Sequence, residues 1–330
     1  MYTETTVPAA KPRRDAAVTD YASLIPLGGL RMSPQLGAGL YTGVPAAAYH
    51  ADPAFAPSLS STLARVLLEH SPAHAYAQHP RLNAQYRPRE SSAAMSFGSL
   101  VHALLADPEG HGTVEIGHFP DFRTKEARAW RDEVAQSGRI AVLEADFLAA
   151  EPVAEAVRRH AGAGHTNDPF NPRPGHAAAY SELTLIWEQR SVYYRALIDR
   201  LVIDPQGYCD LWDWKTTSDV SDRAIERAVY NMGYAFQLAF YLRGLGALLP
   251  SFAHRFTASL VFVETAAPYT VRRVFLTPEY LQYAQMEAER ACALWEQCIR
   301  SNRWDDPRNG QNFSVELPAW AVDDEQIVIE

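Results

Sequence analysis

Between Tyr180 and Asp219 the chain reads YSELTLIWEQRSVYYRALIDRLVIDPQGYCDLWDWKTTSD. Runs rich in Val, Ile, Leu, Tyr, Thr and Trp are separated by the turn signals EQRS and DPQG. Short apolar runs with β-branched and aromatic residues, bounded by such turns, predict consecutive antiparallel strands. This segment constrains the fold more than any other, because a helical period cannot be threaded through it. It also contains an oddity: Asp213 and Lys215 stand in a stretch that otherwise reads as a buried strand. Burying a charge costs several kcal/mol unless it is paired or binds a metal.

Helical patterns surround these strands. SLSSTLARVLLEHSPAHAYAQHP predicts a serine-capped helix, a break at Ser71-Pro72 and a second helix. SAAMSFGSLVHALLADPE predicts a helix ending before Pro108, with His102 on it, and residues 121–160 read as helical with mixed charge. After the strands, RAIERAVYNMGYAFQLAFYLRGLGALLP predicts one helix, ASLVFVETAAPYTVRRVFL a hairpin, and PEYLQYAQMEAERACALWEQCIRSNRW a long closing helix. The order predicts an α/β (α+β) fold with a mixed central sheet flanked by helices and an N-terminal helical region. Residues 1–45, mixed in Pro, Ala, Gly and Thr, read as a flexible N-terminal arm. Residues 46–330 read as a single domain, with a mainly helical part at 46–165 and a sheet with its helices at 176–304.

Composition narrows the function. Apolar runs fall short of the ~20 residues a membrane span needs, and the start MYTETTVPAAKPRRD lacks a signal-peptide core. Cys209, Cys292 and Cys298 are odd in number and widely spaced, which argues against a disulfide framework and for a reducing, cytoplasmic setting. The net charge of −9 requires any nucleic-acid contact to use a local basic lining, for which Arg65, Arg123, Lys125, Arg128 and Arg195 are candidates.

The strand register turns the oddity into a site. A loop centred on Gln206, such as Pro205 to Gly207, sets Asp199 opposite Asp213, and opposed Cβ atoms lie about 4.5–5.5 Å apart. Two carboxylates at that distance repel unless a cation lies between them, and a hard divalent ion is the natural occupant. The strand period places Lys215 on the same face as Asp213 and turns Trp212 and Trp214 to the other. An even-length turn near Gln189 to Ser191 brings Glu182 opposite Asp199 or one diagonal step away. A solvated sheet face would also carry polar residues, but the two tryptophans and the expected helical cover favour a site.

ALID followed by DWKTT resembles the signature of the PD-(D/E)XK nuclease superfamily. QLAFY, with Gln237 and Tyr241, is similar to the Q-x3-Y motif of its RecB-type members, and His102 to their upstream histidine ligand. More narrowly, YHADPAF, LSSTLARVLLEHSPAHA, FGSLVHALLADPE, DWKTTSD and YNMGYAFQLAFY resemble RecE-type (exonuclease VIII-like) exodeoxyribonucleases of phages and prophages, over about Tyr49 to Trp304. The first-motif proline is Ile198 here, and the acid of the second motif is Asp213 rather than Glu.

The resemblance implies Mg2+- or Mn2+-dependent hydrolysis of DNA. His102, Asp199, Asp213 and the backbone carbonyl of Trp214 would hold metal, Lys215 would act in catalysis, and Glu182 would serve a second metal through water. Gln237 and Tyr241 would hydrogen-bond Lys215, the metal shell or a phosphate. It also implies 5'-to-3' attack on double-stranded DNA ends, 3' tails for an annealing protein, and a ring-shaped homo-oligomer. A structure-specific or restriction-like endonuclease and a catalytically silent DNA-binding protein on the same fold are the alternatives.

Overall fold

A computed structural model of the protein describes residues 24–26, 35–87, 93–107, 113–162, 168–170, 178–204, 206–252 and 254–316. The first elements are β1 (Leu24–Pro26), β2 (Gly39–Thr42), α1 (Ala46–His50), β3 (Ser58–Leu59), α2 (Ser61–Glu69) and α3 (Pro72–Gln78). They are followed by α4 (Ala93–Ala106), β4 (Val114–Gly117), α5 (Lys125–Gln136), β5 (Ile140–Leu143) and α6 (Glu144–Gly162). Then come β6 (Ala178–Gln189), β7 (Val192–Ile203), β8 (Cys209–Thr217), α7 (Asp222–Asn231) and α8 (Tyr234–Leu248). β9 (Phe256–Glu264), β10 (Val271–Val274) and α9 (Pro278–Ser301) complete the order.

One mixed sheet runs β1-β2-β6-β7-β8-β9-β10, with β3 added alongside β7. β6, β7 and β8 are antiparallel neighbours, as the sequence predicts, and α7 and α8 carry the chain across to β9, parallel to β8. The turn between β6 and β7 is Arg190-Ser191, both at positive φ, which is the geometry that a two-residue hairpin requires. α2 and α3 begin at Ser60 and Ser71, whose side chains accept the Leu63 and His74 amides, so both caps lie where the sequence places them.

The sheet has a core on each side. One joins Leu183, Leu185, Trp187, Ile198, Leu211, Leu260 and Phe262 to α2, α8 and α9; the other packs Trp212, Trp214, Val261 and Val263 against α4 and α6. All three cysteines are buried and unpaired. No helix among the described residues is long and apolar enough to cross a membrane.

Several expectations need correction. Gly39–Thr42, assigned to the arm, is a sheet strand: Leu40 and Tyr41 are buried and pair with Leu185 and Thr184 of β6, so burial outweighs a turn-rich composition. Residues 1–23 and 27–34 of that arm lie outside the described residues. The stretch 121–160 is not continuously helical, because Gly138 (φ +81°) follows the end of α5 and Ile140–Leu143 pairs with β4 as a small parallel sheet. The helix expected from Arg223 to Leu249 is two helices, broken at Gly233 (φ +67°).

Candidate active site

The β7–β8 pairing continues from Ile203↔Cys209 to Arg200↔Trp212 and stops. This is the register centred on Gln206, and the next positions in it are Asp199 and Asp213. Beyond the last pair a side chain replaces the ladder: Asp199 Oδ2 accepts the Trp214 amide at 2.8 Å. His102 reaches the same point from α4, with Nε2 3.0 Å from the Trp214 carbonyl and Nδ1 3.2 Å from Asp199 Oδ1.

On the other side of β7 the pairing with β6 skips one position. Ser181 faces Arg200 and Leu183 faces Ile198, leaving Glu182 and Asp199 between them. Glu182 has φ +47°, a conformation uncommon for a residue with a Cβ. Both strands change face here. In β7, Val192, Tyr194, Ala196 and Ile198 point into the main core, but beyond Asp199 it is Leu201 and Ile203. In β6, Trp187, Leu185 and Leu183 point inward, and beyond Glu182 it is Tyr180. A local irregularity of this kind re-aims side chains beside functional sites, and here it turns two acids toward one another. Arg200 pins the far side through its Nε to the Pro169 carbonyl (2.8 Å), a contact with Ser181 Oγ, and a cation–π contact with Phe170 (5.4 Å).

His102, Glu182 and Asp199 thereby offer one nitrogen and two oxygen atoms that all lie within 4.8 Å of one another. Asp213 is not a member of that group. It is 1% exposed and forms an ion pair with Lys215, yet neither of its oxygens accepts a hydrogen bond of regular geometry. Trp212 and Trp214 lie in the opposite core, as expected from strand alternation.

The charges are strongly coupled. Burial, reinforced by Asp199, pushes Glu182 up to about 7. Burial likewise pushes Asp213 up to about 6, against the pull of Lys215. For Asp199 burial acts upward too, but the charge and hydrogen bond of His102, then Lys215 and the Trp214 amide, hold it below the usual range. His102 rises to about 8 because Asp199 outweighs the burial that opposes its charge. Lys215 also rises, since Asp213 and Asp199 outweigh its desolvation. The site is thus a cluster of acids and cations, Asp213 buried and the rest partly buried, each setting the others' protonation.

Gln237 and Tyr241 lie on α8 and bond to each other, Gln237 Nε2 to Tyr241 Oη at 2.6 Å. Tyr241 is buried, and burial together with Asp213 pushes its hydroxyl well above the ordinary value. Tyr234 also stands at the site, its ring centroid 4.6 Å from Lys215 Nζ, and Tyr49 of α1 is buried within reach of the charge of Glu182. Burial raises the Tyr49 hydroxyl to about 12, with Arg195, Asp52 and Glu182 acting on it in turn. No spacing rule points to either; both belong to ordinary apolar helix patterns.

The proposed basic lining needs revision. Arg195 is 3% exposed and bonds Ser58 Oγ at 2.9 Å with Asp52 Oδ1 at 3.3 Å, so it neutralises a buried acid that also accepts the Ser58 amide. Arg65 is occupied by Glu69 and by carbonyls at the end of α7. Arg123, Lys125 and Arg128 lie at the exposed start of α5.

A family model for the PD-(D/E)XK nuclease superfamily matches residues 58–316. No curated protein matches the chain. Among solved structures, the chain is similar to a candidate exonuclease from Eubacterium rectale, at 14% identity and a TM-score of 0.47, covering 79% of this chain and 91% of that one. It is also similar to SSO0001, at 14% identity and a TM-score of 0.25, covering 63% of this chain and 95% of that one.

Proposed function

Because the chain belongs to the PD-(D/E)XK nuclease superfamily, we propose that it is a divalent-metal-dependent exodeoxyribonuclease acting on the ends of linear double-stranded DNA. The 5'-to-3' direction, and 3' single-stranded tails for an annealing partner in recombination, are supported by the resemblance of YNMGYAFQLAFY and its companion segments to RecE-type enzymes. A cytoplasmic setting and a ring-shaped homo-oligomer that retains DNA belong to the same reading.

The observation that carries it is the convergence of His102, Glu182 and Asp199 within 4.8 Å, beside the Asp213–Lys215 pair. The donor set fits a divalent cation such as Mg2+ or Mn2+: carboxylate oxygens dominate, and the buried Asp213 carboxylate lacks hydrogen bonds of regular geometry. Asp199, Glu182 and His102 would hold the ion, with Asp213 and the Trp214 carbonyl adjoining. When bound, such a cation acidifies water and neutralises charge that builds on the phosphoryl oxygens.

The chain's own groups do the rest. Lys215, kept protonated by Asp213 and Asp199, places a fixed positive charge where negative charge develops in the transition state. The Trp214 amide donates to Asp199 Oδ2 and so orients that carboxylate, while the Trp214 carbonyl lies 3.0 Å from His102 Nε2 and fixes the ring with Nδ1 toward Asp199. Gln237 and Tyr241 form the wall on α8, and the packing of Trp212 and Trp214 behind the strand keeps that side of the site dry.

The test is digestion of end-labelled linear duplex with Mg2+, compared with covalently closed circles and with Asp199→Asn. The expected result is release of nucleotides from 5' ends, intact circles, and loss of activity in the variant. Cleavage of circles would assign an endonuclease instead. An inert wild type that binds DNA but no Mn2+ in calorimetry would assign a silent binding protein.

A further inference from the structure

Lys215 has two neighbours that hold its ammonium, and the second comes from outside the signature residues. Asp213 pairs with it from the strand, and the ring of Tyr234 lies under it at 4.6 Å. Gln237 and Tyr241 of the Q-x3-Y motif hydrogen-bond to each other, Nε2 to Oη at 2.6 Å.

Tyr234 is delivered there by a turn built for the purpose. It is the first residue of α8, directly after Gly233, whose φ of +67° a residue with a Cβ adopts only under strain. A Cβ at Gly233 would also lie 2.3 Å from Arg65 Nε and 2.4 Å from its Cζ. Arg65 has little freedom to retreat. It donates to the carbonyls of Met232 and Asn231 (3.3 Å for the latter) and, through Nε, to Glu69 Oε1 at 2.9 Å. A guanidinium on the carbonyls that end α7 also sits where the helix dipole favours a cation. The Tyr234 ring also packs against Phe262 of β9, with centroids 6.0 Å apart.

We infer that Tyr234 is a positioning residue for Lys215, and that the Arg65–Gly233 clasp sets its place. The physical reason lies in the double demand on Asp213. A carboxylate beside a divalent cation cannot give its full charge to a lysine as well, so the lysine needs a second restraint. An aromatic face attracts an ammonium without neutralising its charge. The inference rests on the nuclease reading, in which Lys215 acts on the scissile phosphate.

The experiment measures kcat and KM on end-labelled duplex with Mg2+ for wild type, Tyr234→Phe and Tyr234→Leu. Lys215→Ala and the Tyr234→Leu/Lys215→Ala double variant are compared with enzyme in excess. The ring is the expected agent, so Tyr234→Phe stays within about twofold of wild type. Tyr234→Leu loses about tenfold in kcat, the scale of one desolvated cation–π contact, with KM within about twofold. The double variant is no slower than Lys215→Ala alone, because there is no ammonium left to position. Full kcat in Tyr234→Leu, an equal loss in Tyr234→Phe, or a further tenfold loss on top of Lys215→Ala would each overturn the inference. Should Tyr234→Leu not fold, Tyr234→Met carries the same comparison. An inactive wild type removes the nuclease reading, and this inference with it, whereas an active wild type with an unaffected Tyr234→Leu removes only this inference.

Discussion

Glu182 and Asp199 face each other at the skipped position of the β6–β7 pairing, between Ser181↔Arg200 and Leu183↔Ile198. Both strands change the face they bury at that point. Burial, with the charge of Asp199 adding to it, pushes the Glu182 carboxyl up to about 7.

That rise has a consequence for stability. A carboxyl raised in the folded state favours folding below its unfolded pKa and loses that benefit as pH rises through the folded value. The metal-free protein is therefore expected to lose stability between about pH 4.5 and 7 through this group. Glu182→Gln removes the penalty, by at most a few kcal/mol at ~1.4 kcal/mol per pH unit. Thermal unfolding in chelator at pH 5 and pH 8 checks this: the variant gains over wild type only at pH 8, and added Mn2+ narrows the gap. A Tm difference that does not change with pH would contradict it.

Cation affinity must carry the opposite pH dependence. His102, Glu182 and Asp213 hold protons to about 8, 7 and 6, and each has to release its proton before its lone pair or charge serves a metal. Mn2+ affinity is expected to climb from pH 6 to pH 8, with net proton release. Calorimetry in buffers of different ionisation enthalpy reads that release directly, and a binding constant indifferent to pH would refute it.

The Asp213–Lys215 pair is buried on both sides, at 1% and 12% side-chain exposure. Removing one partner of such a pair costs about 3–5 kcal/mol, whereas removing both is often neutral. Asp213→Ala should therefore destabilise the fold, and Asp213→Ala/Lys215→Met should recover much of the loss while leaving no nuclease activity. Urea unfolding of the three proteins tests the point. Equal destabilisation in the single and double variants would show that the pairing does not govern the cost.

Arg195 gives a prediction of the other kind, because its guanidinium serves Asp52 and Ser58 inside the protein. Arg195→Met is expected to lower stability by about 3–5 kcal/mol. It should leave the slope of log affinity for duplex DNA against log salt unchanged, since deleting a side chain that neutralises one phosphate reduces that slope by about one. A slope smaller by one unit would return Arg195 to the DNA interface.

Much of the molecule is determined by local sequence. Turn residues and strand alternation set the β7–β8 register and send Trp212 and Trp214 to the face opposite Asp213, and Ser60 and Ser71 begin their helices as caps. These features follow from chemistry that acts over a few residues. Asp199, Asp213 and Lys215 are legible for the same reason, since charges in apolar strands stand out, whereas His102 on its apolar helix reads as an ordinary core residue and is singled out only by the family resemblance.

What only the tertiary structure decided depends on partners distant in the chain. Period-two alternation cannot reveal that β6 and β7 change face at Glu182 and Asp199, because the irregularity exists only where the two strands meet. Arg195 reads as a basic candidate until Asp52 and Ser58, more than 130 residues earlier, enclose it. Tyr234 reads as part of one long helix until Arg65, 167 residues before Met232, clasps the break at Gly233 and turns its ring under Lys215. Sequence alone names the acids and the lysine; packing determines which of them meet and what holds them there.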